Sequence, residues 1–189
     1  MNSLIERLDD SPEEREKAIT ELRFLRAYAV PPLLNRLTDS RSNIEPDLVV
    51  YTLTRLGTDA IPALIGGLQA GNDAVRAACI EALGWIGDEQ AVPYLWAQAA
   101  NPQNSNGVQS AAYDALARIL YGDAEKRNRL SQNGVVDRLL AAGTELFAFD
   151  YEWPLNEDGK VVLWSWSDTE QTVVENLVTP ASASLYRAE

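Results

Sequence analysis

The sequence contains no histidine, one cysteine and one methionine, and its 28 acidic residues outnumber 16 basic ones. Without histidine, the commonest general base, the commonest metal ligand and every histidine-dependent triad are excluded. Cys79 has no partner for an internal disulfide, and its place among apolar residues at helical spacing marks a reduced core thiol. The net charge of −12 is opposite to the basic footprint that a phosphate backbone demands, so nucleic acid is not an expected partner. A protein with a basic or mixed surface fits better. No apolar run approaches membrane-spanning length, and residues 1–7 lack a basic start followed by an apolar stretch. No membrane partner is expected, and the expected location is the cytoplasm.

What the sequence does have is a period. Ala29-Val30-Pro31-Pro32-Leu33-Leu34 returns as Ala60-Ile61-Pro62-Ala63-Leu64-Ile65 and as Ala91-Val92-Pro93-Tyr94-Leu95-Trp96, with prolines at intervals of 31 and 31. A fixed period of this size marks stacked repeats, each burying its apolar face against its neighbours. The 189 residues, 46% of them hydrophobic, suffice for an elongated domain with a continuous core.

Each proline opens a helix, where its missing N–H costs nothing. The inward face of these helices reads Leu33, Leu34, Leu37; then Leu64, Ile65, Leu68; then Leu95, Trp96, Ala99. Leu4, Ile5 and Leu8 continue the series backwards. A second helix follows each of these, with Leu22, Leu53, Leu83 and Leu116 in one column. Ser3 with Glu6 reads as a helix-starting capping box, as does Ser11-Pro12-Glu13-Glu14; the helix from Pro12 is expected to reach about Ala27, with Ala18, Leu22 and Leu25 inward. In the third unit Val75, Ala78, Cys79, Ala82, Leu83 and Ile86 share one face, with Asp73 as the expected cap. Gly57, Gly84 and Gly87 mark helix ends or crowded crossings.

The run from Asp73 to Asp88, Asp-Ala-Val-Arg-Ala-Ala-Cys-Ile-Glu-Ala-Leu-Gly-Trp-Ile-Gly-Asp, continuing into Ala91-Val92-Pro93-Tyr94-Leu95, resembles a HEAT-like repeat of the short phycobilisome-lyase type. The resemblance covers roughly residues 1–120 and weakens at its edges, where Pro46 and Gln109 replace the arginine that Arg15 and Arg76 supply. It implies an all-α, right-handed α-solenoid of about four helix pairs that holds partners; in some relatives it implies a chromophore-lyase or scaffold role.

Residues 121–146 read as an insertion: a charged helix around Asp123–Leu130, stopped at Asn133-Gly134, then a helix from Val135 that is a candidate first helix of a fifth repeat. In residues 147–189 the aromatics Phe147, Phe149, Tyr151 and Trp153 alternate, as do Val162, Trp164 and Trp166, with Asn156-Glu157-Asp158-Gly159 between as a turn. A hairpin is expected there. Ser167-Asp168-Thr169-Glu170 reads as a further capping box, opening a helix with Val173, Val174 and Leu177 that Pro180 stops, and residues 181–189 start another helix.

Second helices of a solenoid usually line one broad surface, so their non-core positions are the natural binding face. One column reads Phe24, Arg55, Trp85 and Arg118, and the next reads Thr20, Tyr51, Glu81 and Asp114. Phe24, Tyr51, Arg55, Trp85 and Arg118 are the candidate partner-binding residues, because aromatic and arginine side chains anchor interfaces. The alternative is that the aromatics pack on adjacent repeats while the arginines pair with Glu81 or Asp114. Trp153, Trp164 and Trp166 form a secondary candidate as a clamp, or else an end-cap covering the last repeat. Acidic pairs such as Glu13-Glu14 and Asp88-Glu89 fall at helix starts and turns, and Gly66-Gly67 with Gly71 forms no phosphate-cradling motif. No catalytic residue, metal site or cofactor is expected. The expected role is a non-enzymatic protein-interaction scaffold; the alternative is a bilin-lyase-like, chromophore-handling component.

Overall fold

The computed structural model describes residues 2–39, 42–131, 134–149 and 151–188. Helix α1 (Asn2–Glu6) runs into a 3-10 turn at Arg7–Asp9 and pairs with α2 (Pro12–Phe24). Three further pairs follow: α3 (Val30–Thr38) with α4 (Pro46–Leu56), α5 (Ile61–Gly67) with α6 (Asp73–Ile86), and α7 (Val92–Ala100) with α8 (Asn106–Tyr121). Pro31, Pro62 and Pro93 each stand in the first turn of their helix, after a 3-10 turn that ends in a buried alanine, Ala29, Ala60 or Ala91. Proline supplies no donor at a place where the helix has no acceptor for one, and the small alanine lets the turn tuck against the preceding pair. The period in the sequence is thus the period of a two-layer stack. The second helices pack in succession, α2 on α4, α4 on α6 and α6 on α8, and the first helices do the same from α1 to α3 to α5.

The core lies between these layers. Leu22, Leu53, Leu83 and Leu116 are fully buried, as are Leu33, Leu34, Leu64 and Leu95. At the α6–α8 crossing a Cβ on Gly84 would stand 2.7 Å from the Ala115 Cβ, so only glycine admits that approach. Gly57 and Gly87 end their helices at positive φ, +78° and +79°. The Ser11 hydroxyl accepts the Glu14 N–H at 3.4 Å, as the capping box requires. Two caps differ from expectation: Asn72, one residue before Asp73, accepts the Ala74 N–H at 2.8 Å, while Asp73 pairs with Arg76; and Ser3 lies inside α1. Helix α2 stops at Phe24 rather than near Ala27, because Arg26 takes a left-handed φ of +53°. Gln109 takes over the role that Arg15 has in the first pair: Arg15 donates to the Leu8 carbonyl at 2.8 Å, and Gln109 donates to the Asn101 carbonyl at 2.7 Å. Either side chain satisfies a carbonyl at the end of the first helix.

After α8 the chain makes a 3-10 stretch, Ala124–Arg129, that packs on α8, where an α-helix was expected. Of the expected stop signal, Asn133 lies outside the described residues and Gly134 has φ +83°. Helix α9 (Val135–Phe147) then packs on α7, the place a first helix of a fifth repeat would take. Strands β1 (Val161–Ser167) and β2 (Thr172–Val178) form an antiparallel hairpin, and α10 (Pro180–Ala188) follows.

The hairpin is shifted relative to expectation. Asn156–Gly159 does turn, its Asn156 carboxamide oxygen accepting the Lys160 N–H at 2.8 Å, but it leads only to a single Leu155–Val161 bridge. Phe147 ends a helix, and β1 pairs forward with the segment expected to be helical. The capping chemistry of Ser167 serves the hairpin loop instead: its hydroxyl accepts the Glu170 N–H at 3.2 Å, and Gln171 reverses the chain at φ +53°. The β-branched Thr172-Val173-Val174 then extends, which a neighbouring strand rewards more than a helix would. The hairpin lies along the flank of the stack, β1 on α5 and β2 on α3, rather than over its open end. Thr172 donates its hydroxyl to the Pro31 carbonyl at 3.0 Å, and the Tyr28 and Trp164 rings meet edge to face at 5.3 Å. Among the described residues no single helix is long and apolar enough to cross a membrane.

Helix α5 is enclosed on two sides. A Cβ on Gly66 would stand 2.8 Å from the Trp164 carbonyl oxygen, and a Cβ on Gly67 would collide with the Cys79 sulfur of α6. Gly66→Ala is expected to lower stability by about 1–3 kcal/mol, read as a fall in the urea midpoint, while Gly71→Ala, where a Cβ meets nothing within 4 Å, leaves it unchanged. An unshifted midpoint in Gly66→Ala would mean that β1 does not seat on α5. The Cys79 thiol is fully buried, and burial pushes its pKa up to about 12 from an ordinary 9.0. The folded chain keeps this proton where the unfolded chain loses it, so Cys79 favours the folded state below about pH 9 and that contribution is lost between about pH 9 and 12. At pH 8 a disulfide reagent is expected to leave native protein unlabelled and to label urea-unfolded protein fully; rapid labelling of the native chain would show the thiol open.

Candidate functional site

The second-helix layer carries a row of aromatic and arginine side chains near the C-terminal ends of its four helices, exposed on α2, α4 and α6 and half-buried at Arg118 of α8. Phe24, at the end of α2, is 82% exposed, and Trp85 on α6 is 57% exposed. Neither packs away as an ordinary repeat contact would. On α4 the Arg55 guanidinium donates to the Tyr51 hydroxyl at 2.9 Å and to Glu16 of α2 at 3.2 Å, while the Tyr51 hydroxyl donates to the same carboxylate at 3.0 Å. On α8 the Arg118 guanidinium lies 4.4 Å from the centroid of the Trp85 ring, whose N–H donates to Glu81 at 3.4 Å. The five candidates therefore fall into an isolated Phe24, a Tyr51–Arg55–Glu16 triad and a Trp85–Arg118 stack. Arg55 pairs with Glu16 rather than Glu81, and Asp114 is held by Arg127 at 3.3 Å instead of by Arg118. Flat aromatic faces and guanidinium groups held in place by neighbours lose little freedom on meeting a partner.

The three C-terminal tryptophans do not form a clamp. Trp164 is only 4% exposed and belongs to the core beneath the hairpin. The Trp166 indole N–H donates to Asp168 at 3.0 Å in the hairpin loop. Trp153, half-buried, donates to the Ser184 hydroxyl of α10 at 2.9 Å and meets the Tyr151 ring at 4.7 Å.

Trp153 instead lines a cavity of about 480 Å3 between α5, α7, α9, β1 and the end of α10. Pro62, Pro93 and Tyr94 form one wall, Leu139 and Gly143 of α9 another, and Tyr151, Trp153 and Val162 a third. Arg187 enters from α10, donating to the Trp164 carbonyl at 2.9 Å, with its guanidinium 5.6 Å from the Tyr94 ring centroid. Burial pulls the Arg187 pKa down and pushes the Tyr94 pKa up. Trp153 was a sequence candidate, but Tyr94 and Arg187 as site residues escaped the sequence reading. Tyr94 left one legible signal, a large aromatic where the two preceding repeats have Pro32 and Ala63. Arg187 left none, because its neighbours come from folding a later helix back on the stack.

Set against known proteins, residues 30–117 match the family described as HEAT repeats. A protein named phycobilisome maturation protein, from Synechococcus elongatus, is 31% identical over 123 residues. That match takes in 65% of the chain and 59% of the relative, so the chain spans somewhat more than half the length of the curated relative. Paired helices stack in successive layers over the same segment, so residues 30–117 form a HEAT-repeat segment.

Proposed function

We propose that the chain is a non-enzymatic adaptor that binds a protein partner across its second-helix layer, acting in the maturation of a phycobilisome component. The observation that carries this reading is the row of exposed Phe24, Tyr51, Arg55 and Trp85, with a half-buried Arg118 stacked on Trp85, along the four second helices. HEAT stacks serve generally as extended binding surfaces, and the relative named for phycobilisome maturation supports the setting. A partner of basic or mixed surface suits the net charge of −12. A second reading, a bilin-lyase-like component that carries a tetrapyrrole to its client, draws support from the same relative. The buried Cys79 offers it no handle for covalent transfer, and an unchanged absorbance spectrum on mixing the chain with a bilin would remove it.

Affinity capture from an extract of phycobilisome-containing cells tests the adaptor reading. Trp85 and Arg55 are exposed, so the Trp85→Ala, Arg55→Ala double variant should melt within a few degrees of the native chain. Its capture of partners is expected to fall by tenfold or more, since central aromatic and arginine anchors are typically worth about 2 kcal/mol or more each. Equal capture by both chains would sink the proposed face.

A further inference from the structure

The cavity on the first-helix side has features that the adaptor reading does not use. Its volume of about 480 Å3 falls in the range of small-molecule sites, and prolines, aromatic rings and aliphatic side chains make most of its wall. One cation, Arg187, is set into it. Among the described residues no carboxylate stands within ion-pair distance of this guanidinium: its hydrogen-bond partner is the Trp164 carbonyl, and its nearest charged or aromatic company is Tyr94, Tyr186 and Tyr151. A guanidinium half-removed from water with one of its five N–H donors used is an incomplete site, because buried arginines ordinarily pair with carboxylates through two parallel hydrogen bonds. The cavity's two carboxylates, Glu89 and Glu145, belong to exposed residues. There they are solvated and screened, while the cation is half-buried.

We propose that this cavity binds a small organic acid with an apolar body, its carboxylate held by Arg187 and its hydrocarbon or aromatic part resting against Tyr94, Tyr151 and Trp153. The ligand supplies the counter-charge that the fold omits. It also bridges α7, β1 and α10, so it ties the C-terminal segment to the stack. The site is separate from the second-helix face, and either can fail without the other.

The test uses the full chain, a neutral dye, Nile red, as reporter, and two competitors of equal length: dodecanoate and dodecanol, both below the concentrations at which they aggregate. Dodecanoate is expected to displace the dye at about a tenfold lower concentration than dodecanol, the scale of one charge-assisted hydrogen-bonded pair. Arg187→Gln removes that gap and leaves dodecanol where it was. Gly143→Phe puts a ring into the α9 wall at a position where an added Cβ meets nothing within 4 Å, leaves Arg187 untouched and suppresses dye binding; circular dichroism confirms that both variants remain folded. The Trp85→Ala, Arg55→Ala chain binds both competitors as the native chain does. Equal displacement by acid and alcohol, an unchanged gap in Arg187→Gln, or full dye binding in folded Gly143→Phe overturns the proposal.

Discussion

The fold depends on how closely its neighbours approach helix α5. Seven residues long, it is too short to persist alone, yet it stands where three layers meet. Gly67 faces the Cys79 sulfur of its own partner helix, and Gly66 faces the backbone of β1. A side chain at either position would push a neighbour away by more than a core tolerates. Two consecutive glycines are costly in a helix. Here they let a helix pack against a second helix on one side and a strand on the other, which gives the C-terminal segment a seat in the middle of the stack.

That seat changes the mechanics of the repeat architecture. In a simple solenoid each unit touches only its neighbours, so stability is close to a sum over units and nearest-neighbour interfaces. In this chain the hydroxyl of Thr172 reaches the carbonyl of Pro31, 141 residues earlier, and Tyr186 donates to Gln69, 117 residues earlier, at 2.6 Å. The hairpin bears on α3 and α5, and α9 bears on α7. The C-terminal segment therefore spans the first-helix layer of units two to four, and loosening any one of these units also loosens the strap across the others. Sequence-distant contacts of this kind favour a single cooperative transition over stepwise fraying.

The stack was legible because its signals are local and repeated. Pro31, Pro62 and Pro93 marked helix starts, and the leucine columns marked the buried faces; each feature needs only its neighbours along the chain to act. The C-terminal segment was legible in content but not in pairing. Ser167 and Glu170 have the chemistry of a helix cap, and that chemistry also closes a hairpin loop; the decision lay with β1, whose free edge pairs with Thr172–Val178. Exposure of Phe24 and Trp85 followed from their positions outside the core columns. The partnering of Arg55 with Glu16 across two helices, and the cavity around Arg187, arise from tertiary proximity that no local spacing encodes.

The two layers now have different chemistry for a physical reason. The first helices of units two to four, α3, α5 and α7, are short and proline-led, and the C-terminal segment covers them, the hairpin on α3 and α5 and α9 on α7. The cover does not fill the space where α5, α7, α9 and β1 meet, and the cavity lies there. The second helices are longer and need no cover: their outward positions carry charges, a tyrosine–arginine–glutamate network and a stacked tryptophan, groups that water tolerates in the free chain. With the first-helix side already occupied by the chain itself, the second-helix side is the broad surface that remains open to another protein.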